Sequence, residues 1–342
     1  MKYSGFSDSS NASGENKVLR VVDLEVRFYT YAGVVHAVSG VSFYVKEGEA
    51  VALVGETGCG KTVITRAITR LIESPGRIER GMVLFRRRNK KVVDLLKISD
   101  EELREIRGNE IAYVFQDPTS ALDPLYTIGF HIHETVTAHK SKISRKETLK
   151  YAVELPRKVL IPSPEVRVKN YPHEMSGGMR QRSVIAISLS NMPKLLIADE
   201  PTTNLDVTIQ AQILDLVRRL QGEFKMGIIL ITHNLGIVAE TANRVYVMYA
   251  GKVVEEGLVD QVFYNPQHPY TRLLLRSVPN PLRRIEKLES IPGVVPSLIN
   301  PPKGCRFHPR CPFATGKCIV EDPPGFDIEK DHKTFCWLLE KR

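Results

Sequence analysis

The sequence has no long apolar run. Its apolar stretches are short, Val51–Val54, Leu195–Ala198 and Ile228–Ile231 among them, and each is broken within a few residues. A helix crossing a bilayer needs about 20, so a span of that kind is excluded. The opening segment, Met1–Lys17, lacks the apolar core of a secretory signal and is rich in Ser, Asn and Gly. It reads as a flexible tail on the cytoplasmic side. Cysteine is scarce until the end. Cys59 stands alone, and Cys305, Cys311, Cys318 and Cys336 follow only in the last stretch. That distribution is too uneven for a disulfide framework. There is no internal repeat, so the chain holds one copy of its working unit.

What is present is ordinary for a globular protein: 42% hydrophobic and 25% charged residues, with length for about two domains. The net charge of +9 fits a nucleic-acid reader, a protein beneath an anionic leaflet, or a basic surface of no special role. The densest cluster, Arg86–Arg88 with Lys90 and Lys91, lies between the apolar runs Met82–Phe85 and Val92–Leu96. This pattern predicts a solvated hairpin tip.

Alternation of apolar and polar residues over Val18–Val45 predicts antiparallel strands. Ala50–Val54 reads as a buried strand feeding a glycine-rich loop and a helix from near Lys61. Ser99-Asp100-Glu101-Glu102 has the form of a capping box, opening a helix that ends near Gly108. Ile111–Phe115 is a strand. Pro118 to about Ser190 reads as mostly helical, broken by Pro156, Pro162 and Pro164. Leu195–Ala198 and Ile228–Ile231 read as buried parallel strands around a helix over Thr208–Glu223. A last strand pair flanks Ala250-Gly251. After about Gln261 prolines multiply and periodicity fades, which marks a domain boundary.

Gly55-Glu56-Thr57-Gly58-Cys59-Gly60-Lys61-Thr62 fits G-x-x-x-x-G-K-[ST] in full, between a strand and a helix. The glycines let backbone N–H groups curl toward phosphate oxygens, and the helix start adds positive potential. Lys61 reaches the β- and γ-phosphates of ATP, and Thr62 offers a hydroxyl to Mg²⁺. Cys59 reads as a small residue that fits the loop, though the positive surroundings predict a lowered thiol pKa as the alternative. Leu195–Ala198 runs into Asp199 and Glu200. Asp199 is placed to hold Mg²⁺ through water, and Glu200 to polarise a water against the γ-phosphate.

A second anion site is predicted at Ser176-Gly177-Gly178, where Ser176 N-caps an amphipathic helix. One P-loop and one separate anion site suggest two copies face to face, each ATP clamped between the P-loop of one and the Ser-Gly-Gly of the other. The run Tyr171–Arg182 resembles the signature motif of ABC ATPases, and the other motifs of that family occur in order. Gln116, in Val114-Phe115-Gln116-Asp117-Pro118, looks like the glutamine that touches Mg²⁺ and faces the membrane subunits. Asn204-Leu205-Asp206 resembles the D-loop, and His233 the switch histidine that holds the γ-phosphate. Phe28, with Tyr29 and Tyr31 as alternatives, would stack on adenine. Met175 stands where the family usually has Leu, and Asn204 where a small residue is commoner.

The resemblance spans roughly Val18–Gln261. It implies an α/β P-loop ATPase with a mixed-sheet core, an antiparallel β subdomain and an inserted helical subdomain at about 117–190. Residues 1–17 would be the tail, 18–260 the nucleotide-binding domain and 261–342 a small, irregular Cys- and Pro-rich domain. Asn265–Thr271, Pro292-Gly293, Pro296 and Gly304–Pro312 resemble the tail of oligopeptide and dipeptide transporter ATPases, as do Phe115–Pro118 and Ala121–Pro124.

The four late cysteines are separated by five, six and seventeen residues. Structural zinc sites favour tighter pairs, and common ferredoxin runs differ too. Spacing leaves zinc, an iron–sulfur cluster and free thiols all open. Resemblance to the D-type peptide transporter subunit implies a [4Fe–4S] cluster at Cys305, Cys311, Cys318 and Cys336, with Zn²⁺ the alternative. A structural role is expected, since the tail has little periodicity from which to build a core.

The resemblance implies the ATPase of an importer at the cytoplasmic face of the membrane. Its partners would be a second, related ATPase chain, two transmembrane permease subunits and, through the complex, an extracellular substrate-binding protein. Peptides are the expected cargo, and oligosaccharides the alternative. A soluble ABC ATPase acting on ribosomes or nucleic acid would carry two cassettes or a coiled-coil insertion, and this chain has neither. No nucleic-acid partner is expected.

Overall fold

The computed structural model describes residues 16–140, 143–203, 205–277 and 291–340. Most of the expected N-terminal tail and Asn204 of the expected D-loop lie outside the described residues. The strands begin with β1 (Lys17–Thr30), β2 (Gly33–Lys46), β3 (Ala50–Val54), β4 (Gly76–Arg86), β5 (Val92–Asp94) and β6 (Ile111–Val114). They continue with β7 (Leu195–Asp199), β8 (Gly227–Ile231), β9 (Arg244–Tyr249), β10 (Lys252–Leu258), β11 (Phe326–Glu329) and β12 (His332–Thr334). The helices are α1 (Lys61–Ile68), α2 (Asp100–Ile106), α3 (Ile128–Thr137), α4 (Arg145–Lys158), α5 (Pro164–Arg167) and α6 (Gly177–Ser188). Then come α7 (Val207–Phe224), α8 (Leu235–Thr241), α9 (Val259–Tyr264), α10 (Pro269–Arg276) and α11 (Gly316–Val320).

Two sheets organise these elements. One is antiparallel, in the order β2-β1-β4-β5. The other runs β11-β12-β10-β9-β3-β8-β7-β6, and its centre, from β9 to β6, is parallel. Every residue of β3, β7 and β8 is buried, as expected of strands covered on both faces. On one face Val51, Leu53, Ile197 and Ile229 pack with Ile64 and Ile68 of α1 and with Leu19, Val21, Phe43 and Val83 of the antiparallel sheet. On the other, Leu196, Ile228 and Leu230 meet Ile132, Leu155, Val184, Ile213 and Leu220 of the helices. The expected mixed core, antiparallel subdomain and helical insertion are all present.

Three expectations need correction. Helix α4 runs through Pro156 to Lys158. The proline sits in the last turn, so the backbone bond it removes lies where the helix is about to end, while Pro164 takes the favourable first position of α5. The Arg86–Arg88 cluster does form the expected hairpin tip, between β4 and β5, but Arg86 and Arg87 are bonded and half-buried instead of solvated. Arg86 donates through Nε to the Lys17 carbonyl at 2.9 Å. Arg87 donates to Glu110 and Glu102 at 2.9 and 3.1 Å, and the Arg88 guanidinium donates to the Met192 carbonyl at 2.7 Å. Glu110 is buried, and a buried carboxylate needs partners. Arg88, Lys90 and Lys91 remain exposed.

The region after residue 260, expected to be irregular, supplies β11 and β12. These extend the sheet by pairing β12 with β10, Glu255 opposite Thr334 and Glu256 opposite Lys333. Tyr270 and Phe307 bury their rings against Ala52, Val54, Val245 and Val247 of the parallel core. The tail thus packs on the sheet that carries the candidate site.

Candidate active site

In an open parallel sheet, ligands gather beyond the carboxyl ends of the strands. The loop after β3 holds residues 55–60, the loop after β6 holds Gln116, β7 ends in Asp199 followed by Glu200, and β8 leads to His233. Sequence reasoning named all of them, and the topology brings them to one edge.

The loop from Gly55 to Gly60 is shaped by close approach. A Cβ on Gly55 would lie 2.1 Å from the Met248 carbonyl oxygen, and one on Gly60 2.4 Å from that of Ala37. Both residues have positive φ, 148° and 102°, so glycine is required twice over. Gly60 N-caps α1, whose first residue is Lys61. The Lys61 ammonium is buried inside the loop, donating to the carbonyls of Gly55 and Glu56 at 2.8 and 3.1 Å. Thr57 and Gly58 lie at the exposed crest. Cys59 is buried, and burial pushes its thiol pKa up despite neighbouring Lys61. This goes against the alternative of an activated thiol and with the reading of a small residue that fits the loop, because desolvation of a thiolate outweighs one nearby ammonium.

Thr62 donates to Asp199 Oδ1 at 3.2 Å. The other oxygen, Oδ2, accepts from the Tyr113 hydroxyl at 2.9 Å, and Tyr113 also contacts Thr65 Oγ1 at 3.0 Å. Burial raises the Asp199 carboxyl pKa, opposed by these two hydroxyl donors. A hydroxyl and a partly desolvated carboxylate side by side are hard oxygen donors, and they fit Mg²⁺. Tyr113 was missed by sequence reasoning. It lies inside β6 with no motif of its own and acts only through residues distant in sequence.

Glu200 is the meeting point. Its Oε2 accepts from Gln116 Nε2 at 3.0 Å and from Thr203 Oγ1 at 2.9 Å, and its Oε1 lies 3.3 Å from His233 Nδ1. Its backbone is left-handed, φ 47°, held by an N–H bond to the Ile231 carbonyl at 2.9 Å. A carboxylate oriented by an amide, a hydroxyl and an imidazole, beside a phosphate-cradling loop, is suited to take a proton from an attacking water.

Ser176 N-caps α6, accepting the Met179 N–H at 3.4 Å, so Gly177 and Gly178 form the first turn. Asp206 N-caps α7, accepting the Ile209 N–H at 2.9 Å. Among the described residues no hydrogen bond joins 176–178 to 55–62. Phe28 is half-buried against the antiparallel core, Tyr29 donates to Glu79 at 2.8 Å, and Tyr31 is fully exposed at the β1–β2 turn.

The four tail cysteines form no disulfide and lie close enough to feel one another's charge. Burial, with the charges of Cys318 and Cys311 adding to it, pushes the Cys305 thiol up to about 11. Burial and the other three cysteines push Cys336 up to about 12. Among the described residues, however, no group of three or more His, Cys, Asp or Glu side chains converges tightly enough to hold a metal ion. The expected cluster or zinc site is thus not formed as a ligand set, although its thiols are gathered.

Residues 38–203 match the ABC transporter family and residues 254–318 the oligopeptide/dipeptide transporter C-terminal region. The dipeptide transport ATP-binding protein DppD of Lactococcus lactis is 48% identical, spanning 96% of this chain and 93% of that protein. The oligopeptide transport ATP-binding protein OppD of Bacillus subtilis is 49% identical over 94% of this chain and 89% of its own. A dimeric ATP-binding cassette solved in a post-hydrolysis state with ADP and Pi superposes with TM-score 0.61 at 25% identity, covering 70% of this chain and 98% of that one. The cbiO1 protein of Clostridium perfringens superposes with TM-score 0.60 at 29% identity over 73% and 92%. No helix among the described residues is long and apolar enough to cross a membrane. With the phosphate loop, the Thr62–Asp199 pair and the oriented Glu200 carboxylate in one place, the chain belongs to the ABC transporter ATP-binding subunits that carry the oligopeptide/dipeptide C-terminal region, and it is an ATPase.

Proposed function

We propose that this chain powers uptake of oligopeptides or dipeptides. It would work at the cytoplasmic face of the membrane with a second, related ATPase chain and two permease subunits, fed by an extracellular substrate-binding protein. The observation that carries this reading is the match of residues 254–318 to the peptide-transporter C-terminal region, alongside relatives named for dipeptide and oligopeptide transport.

In this reading the backbone N–H groups of Gly55–Gly60 and the Lys61 ammonium hold the β- and γ-phosphates. Thr62, Asp199 and Gln116 would hold Mg²⁺, which neutralises phosphate charge. Glu200 accepts the proton of the attacking water, and the bonds from Gln116 and Thr203 keep its carboxylate turned toward that position. His233 supports the γ-phosphate. Phe28 stacks on adenine. Ser176, Gly177 and Gly178 present the start of α6 to the ATP held by the partner chain, with Asp206 lining the same boundary. Cys305, Cys311, Cys318 and Cys336 would have to converge more tightly than they do here to hold a [4Fe–4S] cluster, Zn²⁺ being the alternative, which would cross-link the tail.

The test is the assembled transporter in liposomes, supplied with its binding protein and with di- and oligopeptides or oligosaccharides. Peptide-stimulated ATP hydrolysis with peptide uptake supports the reading. Stimulation by sugars alone overturns the cargo. Iron and acid-labile sulfide near four each per chain, lost in Cys318→Ser, would support the cluster, and their absence from protein purified without oxygen removes it.

A further inference from the structure

The phosphate loop is held from outside the nucleotide-binding core, by the C-terminal region. Glu56, the loop's first residue after Gly55, is gripped twice. Its backbone N–H donates to the Tyr270 hydroxyl oxygen at 2.9 Å, across 214 residues of sequence. Its carboxylate receives a two-pronged contact from Arg310, Nη1 to Oε2 at 2.8 Å and Nη2 to Oε1 at 3.1 Å, across 254 residues. A bidentate guanidinium–carboxylate pair fixes both position and orientation.

Arg310 is itself immobilised. It is buried, and it also donates to the Tyr249 hydroxyl at 3.2 Å and to the carbonyls of Pro292 and Ile291 at 2.7 and 3.3 Å. The Tyr249, Tyr270 and Phe307 rings pack on one another with centroids 4.7 to 5.4 Å apart. Tyr270 is aimed by its own helix start, where His268 caps α10 by accepting the Tyr270 N–H at 3.1 Å and Pro269 takes the first position.

A second arm reaches the far end of the loop. Arg306 donates to the Ala250 carbonyl in the β9–β10 turn, and to Ser39 Oγ at 2.8 Å. The N–H of Gly251, in that same turn, donates to the Cys59 carbonyl at 3.0 Å. The segment Arg306–Arg310 therefore reaches the loop at Glu56 directly and at Cys59 through the turn.

We propose that Arg310 and Tyr270 are positioning residues for ATP binding. They set the curvature of the phosphate-cradling backbone from the C-terminal region, through Glu56. Such a brace acts on N–H groups that meet phosphate in the ground and transition states alike. Removing it therefore weakens nucleotide binding and leaves turnover at saturation nearly intact. The inference rests on ATP binding at this loop and on neither the transported cargo nor a metal at the cysteines.

The test is steady-state hydrolysis and ATP binding by the full chain in its complex, for Arg310→Gln, Arg310→Lys, Glu56→Gln, the double variant Glu56→Gln/Arg310→Gln, and Tyr270→Phe. Losing one charge-assisted pair predicts a rise in KM for ATP of about tenfold in Arg310→Gln and Glu56→Gln, with kcat within about twofold. The double variant should be no worse than either single one, because the two act as a unit. Arg310→Lys should recover part of the loss. Tyr270→Phe, which keeps the ring and loses only the hydroxyl, should raise KM about threefold. Wild-type KM in folded Arg310→Gln, or a fall in kcat at unchanged KM, overturns the proposal. Additive effects in the double variant do the same. Should Arg310→Gln fail to fold, Tyr270→Phe decides alone, and an unchanged KM there overturns it.

Discussion

Two glutamates organise two regions of this molecule, and they differ in who donates to them. At the catalytic edge Glu200 receives side-chain donors, Gln116 and Thr203, with the His233 ring nearby. Its side chain remains 19% exposed. In the C-terminal region Glu255 is fully buried. It accepts from the backbone N–H groups of Gln267 and His268 at 2.7 and 2.9 Å and lies 2.9 Å from His332 Nε2. Side chains on loops can release a carboxylate and re-form around a substrate. Backbone donors in a buried corner cannot. One carboxylate is thus free to take the proposed part in chemistry and the other joins tail to sheet, although each has three neighbours.

Substitutions should separate the two along that line. The largest effect is expected for Glu200→Gln, which should cut phosphate release by about 100-fold or more while ATP still binds and thermal stability barely moves. Near-normal turnover would end the comparison. Glu255→Ala should act the other way. It strands buried donors from three residues, and destabilisation of about 3 kcal/mol is expected, read from the shift in denaturant midpoint. An unchanged midpoint would show that the corner contributes nothing.

His268 sharpens the contrast through pH. It is wholly buried, and burial drives its pKa down to about 4, against the opposing pull of Glu255. Below the unfolded value near 6.5 the unfolded chain binds this proton and the folded one does not. Stability is therefore fully present above pH 6.5 and declines as pH falls toward 4. His268→Gln, able to accept the same Tyr270 N–H, should flatten that slope in melting temperature between pH 7 and 4, and a parallel slope would refute the assignment. The smallest effect belongs to Tyr113→Phe, which removes one donor from Asp199. It should reduce kcat/KM about threefold to tenfold, most visibly at low Mg²⁺, and no dependence on Mg²⁺ would detach Tyr113 from the metal pair.

The sequence revealed the site where chemistry is local. The phosphate loop, Asp199-Glu200 and the Ser176 cap each need particular residues at fixed short spacing, because one turn of backbone does the work. The parallel strands were legible as short apolar runs for the same reason. What stayed hidden depends on partners far along the chain. Nothing near Tyr113 points to Asp199, and nothing near Arg310 points to Glu56. The strand Phe326–Glu329 is too short to show alternation, and it forms because β10 offers it an edge through β12. The hairpin tip at Arg86–Lys91 was legible, but the half-burial of Arg87 was not, because the carboxylate that claims it, Glu110, sits beyond the hairpin in sequence.

The left-handed backbone of Glu200 has a consequence for how such a protein ages under mutation. A non-glycine residue with φ near 47° carries a penalty of about 1 kcal/mol that glycine escapes. With Glu200 in the proposed role, the replacement that relaxes this position most is one that silences the enzyme. Drift guided by folding alone would erode the proposed site, and in that reading demand for hydrolysis is what keeps a glutamate there.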